Sequence, residues 1–372
     1  MPTQLLKNLA NLPGWRTRRK IVVFESDDWG SIRMPSLRAY ESLKTAGLNI
    51  ASKGTQRYNT LDTLASATDL ESLFETLSKH RDRNNRKAVF TAMALSANPD
   101  FEQVRAANFR AYHYEPVTQT LDRYGLENSW PLWQEGRVKG VFHPEFHGRE
   151  HLNVNVWLKA LRADEPHTLK AFEKQCWGFR PKLDSGISYQ AAFDVDTPEI
   201  LESQKAIVED GIRLFEQLHG YAPQFFVPPN GAIHQDIIDH ATSCGIAFVS
   251  SPKVHREPQG NGKHRRRFRW LGRKGKNGST YLTRNCFFEP SYKGKGFSIA
   301  DCLTHIKTAF QWNKPAIIST HRVNYIGGLQ EVNRKQGNAA LDALLSELLG
   351  RWPEVEFMTS TELGECIRND QK

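Results

Sequence analysis

The chain has 372 residues, 39% of them hydrophobic and 24% charged, with a formal net charge of +9. A chain of this length can bury a large core, as one α/β barrel or as two ordinary domains, and the composition excludes a disordered polypeptide. No apolar run approaches the roughly 20 residues that span a bilayer.

Near the N-terminus, Leu5, Leu6, Leu9 and Leu12 have the spacing of a short amphipathic helix. An export signal would need an apolar core and a small-residue cleavage site there, so the expected location is the cytoplasm, with peripheral attachment to the inner membrane face as a variant. The five cysteines (Cys176, Cys244, Cys286, Cys302 and Cys366) are scattered and odd in number. They argue against a disulfide framework or a four-cysteine zinc site and for a reducing compartment.

The charge is local. Residues 253–276 hold ten lysines and arginines against the single acid Glu257, so this segment alone carries the net charge of the whole chain. Such a loop suits a phosphate, a lipid headgroup or an acidic glycan; a solvated hairpin is the plain alternative.

Apolar runs alternate between strand and helix spacing. Residues 21–25 read as a strand, 36–45 and 69–79 as helices, the second with Leu70, Leu73, Phe74 and Leu77 on one face. Strands follow at 88–94 and 140–142, then a helix at 151–161 and a long helix at 201–219. Next come strand 224–227, helix 235–244, strand 246–250 and a strand over 281–288 beyond the basic loop. Helix 298–312, strand 316–320, helix 338–349, strand 355–358 and helix 360–367 complete the chain. The alternation predicts an α/β fold, a β/α barrel with functional residues at the C-terminal strand ends. A single domain over 1–372 is expected, with segments near 164–196 and 253–279 inserted at the barrel mouth. Tyr189, Phe193 and Asp194 in the first insertion are candidate groove residues.

Chemistry concentrates in five places. Residues 21–30, I-V-V-F-E-S-D-D-W-G, form an apolar strand ending in the adjacent acids Asp27 and Asp28. Residues 142–151, F-H-P-E-F-H-G-R-E-H, space His143, His147 and His151 by four, and imidazoles four apart share a face of a helical turn. Residues 225–231 are F-F-V-P-P-N-G, 283–290 are T-R-N-C-F-F-E-P, and 317–325 are I-I-S-T-H-R-V-N-Y, a buried strand presenting His321. A carboxylate pair at a strand end with a His-x-x-x-His turn is the framework of a mononuclear metal hydrolase.

In this order the motifs resemble the polysaccharide deacetylase superfamily (carbohydrate esterase family four and its relatives), as an atypical branch with long, divergent sequences between motifs. The resemblance implies a distorted (β/α)7-type barrel and removal of an N-acyl group, N-acetyl first, from an amino sugar or glycan precursor. It implies Asp28, His147 and His151 as ligands of one divalent metal, Zn²⁺ with Co²⁺ or Ni²⁺ as alternatives. Asp27 becomes the general base for water and His321 the general acid for the leaving amine. The pair His147/His151 is preferred to His143/His147 because Pro144 biases His143 toward extended backbone. Gly148 also matches the small residue that follows the first ligand in the family.

Two family features are missing. An arginine that usually precedes the Pro-x-Gly turn is replaced by Val227, and Arg284 is the candidate substitute. The tryptophan-containing motif is absent, with 285–290 in its place. Candidate substrate contacts are Trp29, His143, Glu145, Pro229, Asn230, Arg284, Arg322 and Asn324.

Two other functions compete. A metal-dependent phosphodiesterase gripping nucleic acid through the basic loop would need further carboxylates for a second metal about 3.5–4 Å away, and none is evident beyond Glu145 and Glu150, so nucleic acid is disfavoured. A retired deacetylase fold that only binds glycan is suggested by Val227, but retention of both acid and base speaks against it.

Overall fold

The computed structural model describes residues 11–52, 55–181 and 183–371. The expected leucine-rich N-terminal helix lies, apart from Leu12, outside the described residues.

Among the described residues, nine parallel strands form the main sheet. They are β1 Lys20–Trp29, β2 Phe90–Ala94, β3 Phe142–Phe146, β4 Phe225–Phe226, β5 Phe248–Ser250, β6 Thr280–Leu282, β7 Cys286–Phe287, β8 Ala316–His321 and β9 Val355–Phe357. Hydrogen bonding runs β6-β5-β4-β3-β2-β1-β8-β7, while β9 pairs with the first three residues of β1. Chain order is thus cyclic around β1, and the ring stays open between β6 and β7 among the described residues. This is a distorted β/α barrel with one seam.

The barrel follows from strands buried on both faces. Ile21, Val22, Val23 and Phe24 of β1 are all inaccessible to solvent. Val22 and Phe24 face the outer helices, including 67–79 and 331–351, where they meet Leu70, Leu73, Leu344 and Leu348. Ile21 and Val23 face the opposite way with Phe225, Phe248 and Ile317, against Leu363 and Ile367 of the C-terminal helix Ser360–Asp370. That helix fills the lower part of the concave face and leaves the C-terminal strand ends open above it.

A second apolar cluster lies to one side, built from helices Leu37–Thr45, Phe101–Ala106, Val154–Arg162 and Pro166–Phe172 with Trp177, Phe179 and Tyr189. The inserted segment 164–196 is therefore packed structure. The basic segment folds as an antiparallel hairpin, Val254–Gly260 with Lys263–Phe268.

Several expected elements shift. The strand expected at 140–142 is Phe142–Phe146, and the strand expected at 281–288 is two strands interrupted at 283–285, where the chain crosses the seam. The helix expected at 338–349 extends over Glu331–Arg351. Helices Gln56–Leu61, Phe101–Ala106, Val117–Arg123 and Trp130–Val138 were not expected; all but the last are a single turn or two, too short for periodicity to declare.

Candidate active site

Along a regular strand, adjacent side chains point to opposite faces, so Asp27 and Asp28 should diverge. A bulge in β1 prevents this. Its register against β2 slips between Ser26 and Trp29, and Asp28 takes a left-handed conformation with φ +76°. The extra residue turns both carboxylates toward the cavity above the C-terminal helix, where both line its wall.

Asp28 faces two imidazoles. Its Oδ1 is 3.4 Å from His147 Nε2 and 3.2 Å from His151 Nε2, and all three side chains are buried. The expected helical turn does not form. His147 directly follows β3, Gly148 has φ +120°, and the chain loops to His151, with the helix starting only at Val154 behind its Asn153 cap. A Cβ at Gly148 would meet the Glu150 carbonyl at 3.3 Å in a backbone conformation that other residues rarely adopt, which explains the glycine. Arg149 and Glu150 anchor the loop through an ion pair of 2.6 Å, with Asp210 as a second partner of Arg149 at 3.0 Å.

The site fits a cation. His147 Nδ1 lies 2.6 Å from the Val227 carbonyl, which can only accept, so Nδ1 carries the proton and Nε2 presents a lone pair. Nε2 is buried without a hydrogen-bond partner. One donor atom from each of Asp28, His147 and His151 falls within 4.8 Å of the others. Two imidazoles and a carboxylate are a donor set that Zn²⁺, Co²⁺ or Ni²⁺ accepts. Burial pushes the Asp28 carboxyl up, but His147 and His151 outweigh it and hold it well below the usual range.

Asp27 is clamped by Arg284, which donates to both carboxylate oxygens at 2.6 Å. The same guanidinium donates to Glu25 at 2.5 Å and to Ser319 at 3.0 Å. It enters from the seam crossing at 283–285, so the interruption between β6 and β7 is what brings this arginine inward. Val227 brings no charge to the site: it lines the cavity wall and offers its carbonyl to His147. Burial opposes ionisation of Asp27, yet Arg284 prevails and lowers its pKa; in Glu25, fully enclosed, burial wins and the pKa is raised.

His321 ends β8 beside Asp27, with Nε2 3.7 Å from Asp27 Oδ2 and Nδ1 2.5 Å from Glu289. Arg57 and the Asn324 amide each donate to the other Glu289 oxygen at 2.8 Å. Burial would discharge the imidazole, but Glu289 outweighs it and lifts the His321 pKa to about 9. Tyr58 meets the ring edge-on at 5.7 Å, itself sandwiched between the guanidinium groups of Arg33 and Arg57 at 4.5 and 4.4 Å.

These groups close one end of a cavity of about 800 Å³ whose walls include Arg33, Gln190, Asn230, Phe287 and Phe297. Of the expected substrate contacts, Asn230 and Arg284 line it. The others do not. Trp29 is core, edge-on to Phe142 and Trp133, with its indole N–H on Ser26. His143 opens into a separate small cleft beside Arg86 and Thr361, and Glu145 accepts from the backbone of Gln224 and Phe225. Pro229 is buried behind the rim; Arg322 is fully buried in an ion pair with Asp62 at 2.8 Å. Asn324 acts at one remove, on Glu289.

Glu289, Arg57, Tyr58 and Arg33 escaped the sequence reading. Glu289 had a signal, an acid inside 283–290; the others sit where no spacing marks them.

No family model and no curated sequence matches the chain. Solved structures that it resembles include one described as a probable polysaccharide deacetylase from Pseudomonas aeruginosa PAO1, at 12% identity and TM-score 0.47 over 98% of this chain and 97% of that one. A carbohydrate esterase family four pseudoenzyme from Bacillus anthracis is similar at 11% identity and TM-score 0.35, over 93% and 66%. The 4-alpha-glucanotransferase of Thermococcus litoralis is similar at 9% identity and TM-score 0.47, over 92% of this chain but 40% of that one. No helix among the described residues is long and apolar enough to cross a membrane.

Proposed function

We propose that the protein is a metal-dependent hydrolase that removes an N-acyl group, N-acetyl in the simplest case, from an amino sugar of a glycan. The observation that carries this reading is the pairing of opposite charge settings beside one cation-binding triad. Asp27 is kept ionised by Arg284 and His321 is kept protonated by Glu289, side by side at one end of the same cavity.

Asp28, His147 and His151 would hold the metal, which when bound would polarise the amide carbonyl and acidify water. Asp27 then serves as the base: both its oxygens are fixed by Arg284, and it takes a proton from the attacking water. His321 gives its Nε2 proton to the amide nitrogen as the C–N bond breaks, and Glu289 holds the resulting ring in position. The products are a carboxylate and a free amine, with water's oxygen retained in the acid. Groups whose surroundings push their protonation in opposite directions divide acid and base work in this way.

The guanidinium expected at Val227 is supplied from Arg284, which removes the main reason to read the site as retired. The other cluster of donors among the described residues, Glu209, His240 and Cys244, does not line the cavity, so a two-metal phosphodiesterase finds no support. The test is acetate release from N-acetylated chito-oligosaccharides by wild type, Asp27→Asn and His321→Ala. Loss of about 10²–10⁴-fold in each variant is expected for a missing base or acid; unchanged rates would refute these roles.

A further inference from the structure

The reaction cavity does not end at its own rim. Asn230, Gly231 and Pro252 line both the 800 Å³ cavity and a second one of about 450 Å³ beyond them, bounded by the basic hairpin on one side and 180–196 on the other. Arg180, Arg256, Lys263 and His264 line this second basin. Its acids are Asp194 and Asp196, and Asp196 is met by Lys159 at 2.9 Å.

The hairpin is anchored through its inner face and its turn. His255 bonds to the Ile233 carbonyl at 2.9 Å, Glu257 pairs with Arg267, and Asn261 N–H bonds to the Asp196 carbonyl at 2.7 Å. The outer face is charged and uncompensated. Arg256 stands directly opposite Arg266 across the ladder, and no carboxylate among the described residues forms an ion pair within 4.0 Å with Arg256, Lys263 or Arg266. Like charges opposed on a two-stranded ribbon destabilise it. Val254 and Phe268, the next outward-facing pair, are 50% and 62% exposed and set an apolar stripe beside the bases.

From this continuity we infer that the substrate is a polyanionic glycan, with the reacting amino sugar in the metal-proximal cavity and acidic sugar residues of the same chain in the second basin. The inference rests on the hydrolase reading for the identity of the first cavity. Concavity and direct connection to the reaction site favour a glycan over a membrane, which would meet a protruding face. Because the bases are exposed, their attraction is long-ranged and falls as salt screens it.

The experiment measures binding of the full chain to size-matched oligosaccharides of heparosan, which alternates N-acetylglucosamine with glucuronate, and to neutral N-acetylchitohexaose. Heparosan is expected to bind at least about tenfold more tightly at low ionic strength, with the advantage lost near 0.5 M salt. Arg256→Gln/Lys263→Gln/Arg266→Gln should abolish that advantage, and Arg256→Lys/Arg266→Lys should keep it, with circular dichroism confirming that both fold. Equal binding of the two oligosaccharides, or undiminished heparosan binding by the glutamine variant, overturns the inference. So does binding to vesicles containing phosphatidylglycerol, or to single-stranded DNA, without binding to heparosan. Acetate release from N,N′-diacetylchitobiose by wild type reports separately on the hydrolase reading, since that substrate carries no anion.

Discussion

Asp27 and His321 are register partners at the ends of adjacent parallel strands, and their carboxylate and imidazole face each other at 3.7 Å. Each has its own buried counter-ion on the far side, Arg284 for the acid and Glu289 for the histidine. The parallel register fixes their separation, while the two counter-ions fix their protonation.

Glu289→Gln isolates the second effect. The His321 pKa of about 9 should fall toward the ordinary value, so the alkaline limb of the pH–rate profile should move down. The sign for stability is the same. A raised folded-state pKa gives stabilisation that is full below about 6.5 and is lost as pH rises through about 9, so wild type should lose stability over that window and the variant should lose less. A profile unmoved by the substitution would show that Glu289 does not set the charge.

Arg284→Ala should damage both fold and activity. It leaves Glu25 and Asp27 buried without their shared cation, which typically costs about 3–5 kcal/mol. Thermal unfolding reads the loss. Arg284→Lys keeps one charge but not the two-pronged clamp, and is expected to recover much of the melting temperature and little of the turnover rate.

Arg322 separates a structural reading from a substrate-binding one. Its guanidinium and the Asp62 carboxylate are both inaccessible to solvent. Asp62→Ala should therefore destabilise the protein by about 3–5 kcal/mol, while KM measured below the transition stays within about twofold. A large KM change in a stable variant would contradict this placement.

Gly148→Ala tests the loop between the two histidines. At φ +120° the substitution should cost about 1–3 kcal/mol and pull His147 and His151 out of register with Asp28. Weaker Zn²⁺ retention against a chelator, exceeding any loss in melting temperature, is the expected signature.

Much of this arrangement was legible in the sequence because the barrel puts chemistry at strand ends. Asp27, His147 and His321 each follow an apolar run, so the strands could be read and their ends located. His147 and His151 both face Asp28 while His143 opens elsewhere, and the two converge through a left-handed glycine, not through the helical turn that their spacing suggests. What stayed hidden depends on tertiary placement. Nothing in the local sequence says that β1 bulges at Asp28, that the chain breaks at 283–285 to carry Arg284 across the seam, or that Tyr58 arrives on a two-turn helix. Trp29, His143 and Arg322 misled for the opposite reason. They neighbour site residues in sequence, but strand and turn geometry directs their side chains elsewhere.

The most direct measurement is metal content by elemental mass spectrometry on wild type and on Asp28→Ala/His147→Ala. About one Zn²⁺, Co²⁺ or Ni²⁺ per chain is expected in the wild type and none in the variant, because the three-residue site loses two of its donors. A wild-type protein that stays metal-free after incubation with all three ions would contradict the hydrolase reading at its base.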